Sequence, residues 1–348
     1  MKTLLQNSGS EAKAASQRLG EEFTFDQIIG RSEALLSQIK VARNFAQEDG
    51  AVLIRGETGT GKDLFARAIH DCGNRRNRPF IAVNCATLPP NLSENELFGH
   101  ASGAFTGAQR VHKGLVEEAN DGTLFLDEID SLAPEIQPKL LRILEQGETR
   151  RLGEALNRRV NVRIICATNK DLLVLVQTHR FRSDLYYRLE VLSLDLPPLR
   201  ERIEDIRSIA ENYFRERIKM RLATGRPTCA EATFLTPEVI KRLCGYAWPG
   251  NVRELKNVID RAFALSNGGQ ISLDDLQLER HGSPEKLNGS YKSAKQHFEL
   301  KYLKDLLLEH DSDVALAQAA SGLSRSAFYA LLRKHKLQHF VSRQRVVA

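Results

Sequence analysis

The sequence predicts an α/β domain built on a parallel sheet flanked by helices, followed by all-helical segments. Short apolar, β-branched runs at residues 51–55, 80–84, 123–127 and 160–167 alternate with amphipathic stretches between residues 23 and 196. That order is expected of parallel strands joined by crossover helices. The runs are apolar throughout rather than alternating, as in strands covered on both faces. Pro197-Pro198 ends the pattern, and residues 199–273 read as helical, without strand candidates.

Within this frame, helix starts are signalled at Thr236-Pro237-Glu238, where a capping hydroxyl precedes a proline at the first helical position, and at Asn251. The segments follow as a loose polar leader (1–22), the α/β domain (23–198), a helical domain (199–272), a linker (273–292, polar and rich in Gly, Ser and Pro from 279 onward) and a last helical module (293–345). No internal repeat is visible.

Composition narrows the class. With 348 residues, 42% hydrophobic and 27% charged, the chain reads as a soluble multidomain protein. No apolar run approaches the roughly 18 residues of a membrane helix, and the N-terminus lacks a signal peptide. The five cysteines (Cys72, Cys85, Cys166, Cys229 and Cys244) are scattered without a CxxC pair. They read as small apolar residues of a protein in a reducing cytoplasm. Net charge is +6, and most of the excess lies at the end: residues 292–348 hold ten Lys/Arg against five Asp/Glu, and from Val314 there are six basic residues and no acidic one. A compact basic end is the footprint of phosphate contact.

The most informative local pattern follows the first strand. Gly56-Glu57-Thr58-Gly59-Thr60-Gly61-Lys62-Asp63 is a GxxxxGK loop between a strand and a helix. Its glycines let backbone N–H groups turn inward on a phosphate, the helix N-terminus adds partial positive charge, and Lys62 reaches the outer phosphates. Asp63 stands where Ser or Thr usually binds magnesium. The run Thr123-Leu124-Phe125-Leu126 delivers Asp127 and Glu128 at its C-terminal end, where open α/β sheets bind ligands. Asp127 is the candidate for Mg2+, and Glu128 for orienting or deprotonating the attacking water. Another strand ends in Thr168-Asn169, which places Asn169 toward the same edge.

Gly103-Ala104-Phe105-Thr106-Gly107-Ala108, preceded by Glu96-Leu97-Phe98-Gly99-His100, resembles the GAFTGA segment of the bacterial enhancer-binding proteins that activate sigma-54 RNA polymerase. The similarity runs from about residue 23 to 336. It implies an AAA+ P-loop ATPase with an α-helical lid and a C-terminal Fis-type helix-turn-helix. It implies that the six residues tip a helical hairpin and touch the sigma factor. A Gly- and Ala-bounded tip carrying one aromatic suits a partner contact. Phe181-Arg182-Ser183-Asp184-Leu185-Tyr186-Tyr187-Arg188-Leu189 resembles the segment that supplies arginines to the neighbouring subunit's ATP, with Arg182 and Arg188 as candidates. Such a head-to-tail contact implies a ring, a hexamer by the family pattern. Trp248-Pro249-Gly250-Asn251-Val252-Arg253-Glu254-Leu255 resembles the second sensor motif, with Arg253 facing the nucleotide. Asn84 matches the residue that restrains the catalytic glutamate, and Ile28-Ile29-Gly30-Arg31, hence Ile29 and Gly30, the segment covering the adenine. Relatives often carry an N-terminal receiver domain, which 22 residues cannot form. Control is therefore expected from a separate regulatory protein or modifier, unless a regulator has been removed.

At the basic end, Asp313 and Ser324 read as N-caps of two short helices, Val314–Ala320 and Arg325–Lys334, joined at Ser321-Gly322-Leu323. Phe328, Leu331 and Leu332 form an inward face. Ser324, Arg325, Ser326 and Tyr329 are candidates for base edges, and Arg333, Lys334 and Lys336 for phosphates. A longer helix over 294–310, with Phe298, Tyr302, Leu306 and Glu309 on one stripe, is the candidate for pairing two modules on upstream DNA. Two other readings stay open at this point: an AAA+ remodeller without sigma contact, against which the complete GAFTGA segment speaks, and a DNA-binding repressor with a vestigial core, against which Lys62, Asp127, Glu128, Arg182 and Arg188 speak.

Overall fold

The computed structural model describes residues 22–89, 92–104, 108, 110–224, 235–266, 270–278, 295–296, 298–300, 302–303, 306–307, 310, 313–335 and 337. Outside them lie the leader before residue 22, Phe105, Thr106, Gly107, Cys229, the polar run 279–292, Glu309 and Lys336. The chain divides into two compact units, residues 1–281 and 282–348.

The first unit is organised by a five-stranded parallel sheet of β1 (Val52–Arg55), β2 (Phe80–Asn84), β5 (Thr123–Asp127), β8 (Arg163–Thr168) and β9 (Leu192–Asp195), in the spatial order β2-β5-β8-β1-β9. Two short pairs, β3 (Gly99–His100) with β4 (His112–Lys113) and β6 (Glu148–Thr149) with β7 (Arg158–Arg159), are antiparallel. The central strands carry two cores. Val52, Ile54, Phe125, Ile165 and Ala167 join one cluster, with Phe65, Ile69 and Leu35. Their alternate neighbours Leu53, Leu124, Leu126, Ile164 and Cys166 join the other, with Ile129, Leu140 and Leu185. Successive strand residues point to opposite faces, so a strand between two helical layers must be apolar at every position.

The edge strands obey this less strictly. Ala82 of β2 is exposed and only Val83 is buried there. β9 was not anticipated: Leu194 is buried but Asp195 is exposed, because an edge strand alternates instead of showing a continuous apolar run. The run expected from 160 becomes sheet only at Arg163, since Arg158 and Arg159 first pair with Thr149 and Glu148 in the hairpin.

Among the described residues, seven α-helices precede β9: α1 (Glu33–Ala46), α2 (Lys62–Asp71), α3 (Ser93–Phe98), α4 (Leu115–Glu118), α5 (Gln137–Gln146), α6 (Leu172–Gln177) and α7 (Ser183–Leu189); α8 (Ile203–Ala223) opens the helical lid just after it. The lid continues with α9 (Pro237–Cys244) and α10 (Asn251–Leu265). Thr236 caps α9 as expected, its hydroxyl accepting from Val239 N at 3.3 Å, with Pro237 at the first helical position. The lid packs around Trp248, which is fully buried, edge-on to Tyr246, and donates from Nε1 to Leu243 O at 2.9 Å. The same cluster takes in Leu276 and Leu278, inside the segment the sequence reads as linker.

In the second unit, Val314–Ala320 (α11) and Arg325–Lys334 (α12) are joined through Gly322, whose φ of +66° needs no side chain. The expected caps form: Asp313 Oδ1 accepts from Leu316 N (3.1 Å) and Ser324 Oγ from Ala327 N (3.3 Å). Phe328 and Leu332 are buried with Leu303, Leu306, Leu307, Val314, Ala317 and Leu337. Among the described residues, no helix is long and apolar enough to cross a membrane.

Replacing the sole tryptophan by alanine removes the largest fully buried side chain of the lid. Trp248→Ala should destabilise the first unit by about 3–5 kcal/mol, read from urea unfolding followed by far-UV circular dichroism. An unchanged transition would mean the lid does not depend on the indole.

Candidate nucleotide site

Residues 56–63 leave the C-terminal end of β1 and enter α2 as a tight loop. Gly59 (φ +80°) and Gly61 (φ +101°) adopt left-handed conformations that side chains seldom take. Gly56 N donates to Thr168 O at 3.2 Å, tying the loop to the end of β8. Lys62 Nζ folds back over the loop and donates to Gly56 O (2.7 Å) and Glu57 O (3.1 Å). Burial pulls the Lys62 pKa below its ordinary value, against the pull of the nearby Asp127 charge. Glu57 is held ionised, chiefly by the Arg200 guanidinium. Asp63 is exposed on the first turn of α2.

The two carboxylates stand where β5 ends. Asp127 is half-buried, and burial pushes its carboxyl above the usual range, offset by the hydrogen bond from Glu128 N (2.9 Å) and by the charge of Lys62. Glu128 sits at φ +52°, ψ +48°, a left-handed conformation costly for a non-glycine residue. Asn84 is the register partner of Asp127 across β2 and β5. Its Oδ1 accepts from Ala86 N (2.9 Å), so among the described residues its side chain caps the turn Cys85–Thr87, with no hydrogen bond to Glu128. Asn169 reaches the loop directly: Nδ2 donates to Thr58 Oγ1 at 3.0 Å.

Beside the loop lies a cavity of about 450 Å³, within the range of small-molecule sites. Gly59, Thr60, Gly61, Asp63, Ile29 and Arg253 line it, as the sequence suggests for all six. Gly30 does not; it packs on Leu35 and Asp205, where a Cβ would approach Leu35 Cδ2 to 2.2 Å. The segment is instead fixed by Asp205, which accepts from Arg31 N (2.6 Å) and Ser32 N (2.9 Å). Sequence reasoning missed Phe23, Asn212, Tyr213, Lys256 and Asn257, which also line the cavity. Four of these come from α8 and α10, and no short motif marks a lid residue that faces a cavity.

Arg182 and Arg188 are not among the lining residues of that cavity. Both are exposed on or beside α7. Arg182 pairs with Asp184 (2.7 Å), and Arg188 Nη2 donates to Leu144 O (3.3 Å). The GAFTGA segment emerges between α3 and α4 from the β3–β4 neck. Gly103 N donates to Ala108 O (2.7 Å), Gly103 is exposed and Ala108 buried, and Ala104 packs on Gly153. Phe105, Thr106 and Gly107 lie outside the described residues. The β6–β7 hairpin braces this neck: Ala101 N donates to Leu152 O, Leu152 N to Gly99 O, and Arg151 grips Glu117 with two bonds of 2.7 Å.

In the second unit, Ser324, Arg325, Ser326, Arg333 and Lys334 are exposed, and Tyr329 is half-buried beneath the Arg325 guanidinium. Lys334 is paired with Glu299 at 2.6 Å, which competes with the phosphate contact expected of it. Lys336 lies outside the described residues. Phe298 and Tyr302 stack on each other and stay exposed, whereas Leu306 turns into the core.

A parallel sheet, a glycine loop with its lysine, and two carboxylates at the end of β5 define a P-loop ATPase with a helical lid. Comparison with known proteins places it further. Residues 28–195 match the Sigma-54 interaction domain and residues 200–292 the AAA+ ATPase lid domain. The chain is 42% identical over 336 residues to the transcriptional regulatory protein GlrR of Escherichia coli, covering 97% of this chain and 74% of that one. It is 44% identical over 272 residues to the regulatory protein AtoC of E. coli, covering 78% and 58%. Crystal structures of NtrX from Brucella abortus, in complex with ADP and with ATP, superpose with TM-scores of 0.66 and 0.65 at 29% and 30% identity, covering 95% of this chain and 73% of theirs. The chain belongs to the sigma-54-dependent transcriptional activators, and its first unit is an ATP-binding AAA+ ATPase.

Glu128→Gln keeps the shape of the carboxylate and removes its basicity. Turnover should fall about 10²–10⁴-fold with ATP still bound, measured by phosphate release beside equilibrium nucleotide binding; unchanged turnover would remove Glu128 from the chemistry.

Proposed function

We propose that the chain works as a homo-oligomeric, hexameric ring that hydrolyses ATP to remodel the sigma-54 RNA polymerase holoenzyme from a closed to an open promoter complex. The observation that carries this reading is a complete GAFTGA sequence whose described ends, Gly103, Ala104 and Ala108, sit on the braced β3–β4 neck of the ATPase unit. Gly103, Ala104, Phe105, Thr106 and Gly107 form the contact with sigma-54, and Ala108, which is buried, anchors the segment to the neck.

ATP lies in the cavity beside residues 56–63. Lys62, now resting on loop carbonyls, exchanges them for the outer phosphates. Glu128 orients the attacking water and takes its proton. Asn169, already on Thr58, and Arg253, already in the cavity lining, adjoin the phosphate chain. Asn84, opposite Asp127 on the neighbouring strand, restrains Glu128 once its side chain leaves the Cys85–Thr87 turn. Arg182 and Arg188 serve the site of the next subunit, a contribution worth about 10³–10⁵ in rate when an arginine arrives in trans. Asp127 suits Mg2+: burial disfavours its charged carboxylate, which a cation would offset, and its described hydrogen-bond partner is a single backbone amide, which leaves acceptor positions for that cation. Bound there, Mg2+ supplies positive charge against the outer phosphates.

The second unit holds the ring on upstream DNA and raises its effective concentration at the promoter. Ser324, Arg325, Ser326 and Tyr329 meet base edges, and Arg333, Lys334 and Lys336 meet phosphates. A cytoplasmic location completes the reading.

In native-gel binding to purified sigma-54 with ADP and aluminium fluoride, the wild type should form a complex that Phe105→Ala loses. No complex from protein that still hydrolyses ATP would leave an AAA+ remodeller of another target. Arg325→Ala should weaken site-specific DNA binding by about 1–3 kcal/mol in a mobility-shift titration, with ATPase activity in the absence of DNA unchanged; intact specific binding would refute the groove assignment.

A further inference from the structure

The phosphate-binding loop has two faces, and the lid occupies the second. In a planar trans peptide the carbonyl of one residue and the N–H of the next point in opposite directions. The carbonyls of Thr58, Gly59 and Thr60 are each held from the lid side: by Asn251 Nδ2 at 3.1 Å, by Val252 N at 3.0 Å and by Arg202 Nη2 at 3.0 Å. Three consecutive peptide planes are therefore fixed, and with them the directions of the N–H groups of Gly59, Thr60 and Gly61. The Glu57 carboxylate is taken from the same side by Arg200 (2.7 Å) and Asn251 Nδ2 (3.1 Å).

Asn251 is the centre of this grip. It is fully buried and stands at φ +53°, a conformation asparagine tolerates better than most residues. Its Oδ1 accepts from Leu199 N at 2.6 Å, at the start of the lid, while its own N–H donates to Trp248 O at 2.8 Å. Thr58 is thereby clasped between two amides, Asn169 on its hydroxyl and Asn251 on its carbonyl. The approach is too close for any side chain at Gly59, where a Cβ would stand 2.3 Å from Gly250 O. Arg253 follows Asn251 by two residues on the same helix turn, so whatever moves Asn251 moves it.

We propose that the lid reads the phosphate loop through its carbonyl face, with Asn251 as the positioning residue that couples nucleotide binding at residues 56–63 to the lid and to Arg253. A phosphate that draws the loop N–H groups inward must rotate the same peptide planes that Asn251, Val252 and Arg202 hold. By linkage, the lid must in turn set nucleotide affinity. The inference rests on the P-loop being the nucleotide site, a premise checked separately by loss of ATP binding in Lys62→Ala.

The sole tryptophan lies three residues from Asn251 and reports on the lid. With a non-hydrolysable ATP analogue at saturation, Trp248 emission of the full chain should change in the wild type. Asn251→Asp keeps the size, the left-handed tolerance and the acceptor for Leu199 N, but removes both donations to the loop. It should weaken analogue binding about 5- to 50-fold and abolish the emission change at saturation. Wild-type affinity and response in this variant would overturn the proposal. Weaker binding with a full response would overturn it too, because Asn251 would then only build the loop. An absent response in the wild type has the same consequence. Should Asn251→Asp not fold, Arg200→Gln carries the test at an exposed position, with the same two changes expected in smaller degree and wild-type behaviour in both overturning it.

Discussion

The site depends on the register of four parallel strands. β1 pairs with β8 so that Arg55 stands opposite Thr168, and the ladder continues one step into the loop through Gly56 N and Thr168 O. β5 pairs with β8 on its other edge, and β2 with β5, which sets Asn84 opposite Asp127. The loop, the carboxylates and Asn169 thus emerge at one edge of one sheet. A slip by a single residue would exchange the two cores, sending Leu53 to the layer built for Val52 and Ile54. Because both layers are closely packed, register and site geometry are specified by the same contacts.

Electrostatics then favours a polyanion. Lys62 and Asp127 are each disfavoured by burial and each supported by the charge of the other. The ammonium of Lys62 meanwhile rests on two uncharged carbonyls, weaker partners than a phosphate oxygen. An incoming triphosphate therefore offers Lys62 a stronger acceptor without unpairing a buried acid. Across the loop, the Glu57 carboxylate is already satisfied by Arg200 and Asn251, so it does not oppose the ligand as a free charge.

Much of this was legible in the sequence, for physical reasons that also mark the limits. Buried central strands announce themselves as unbroken apolar runs; β9, an edge strand, alternates and gave no such signal. Gly59 and Gly61 were readable because only glycine suits their backbone and approach. Capping residues such as Thr236, Asp313 and Ser324 are local, and each formed the expected bond. By contrast, Tyr213 and Asn212 enter the cavity from α8 by helical phase alone. Asn251 meets Glu57 across 194 residues of chain, a pairing that no spacing rule encodes. Asn84 shows a further limit: its position beside Asp127 was legible, but its choice of Ala86 N over Glu128 is a matter of side-chain rotamer.

On the proposed ring reading, Arg182 beside α7 and Arg188 within it would complete the next subunit's site while being held loosely in their own. Arg182 is half exposed and bonded to Asp184 within its own turn. A pair of that kind contributes about 0–1 kcal/mol, so the exchange of Asp184 for a neighbouring subunit's phosphate that the proposed ring requires would cost little. Among the described residues, Arg188 Nη2 donates to a backbone carbonyl at 3.3 Å. Neither lines the cavity of its own chain. The residues that bind the phosphates are locked by buried strand ends and by the lid, whereas those that face outward are held loosely. That asymmetry suits a site whose binding half is preorganised within one chain and whose remaining charge arrives only on assembly.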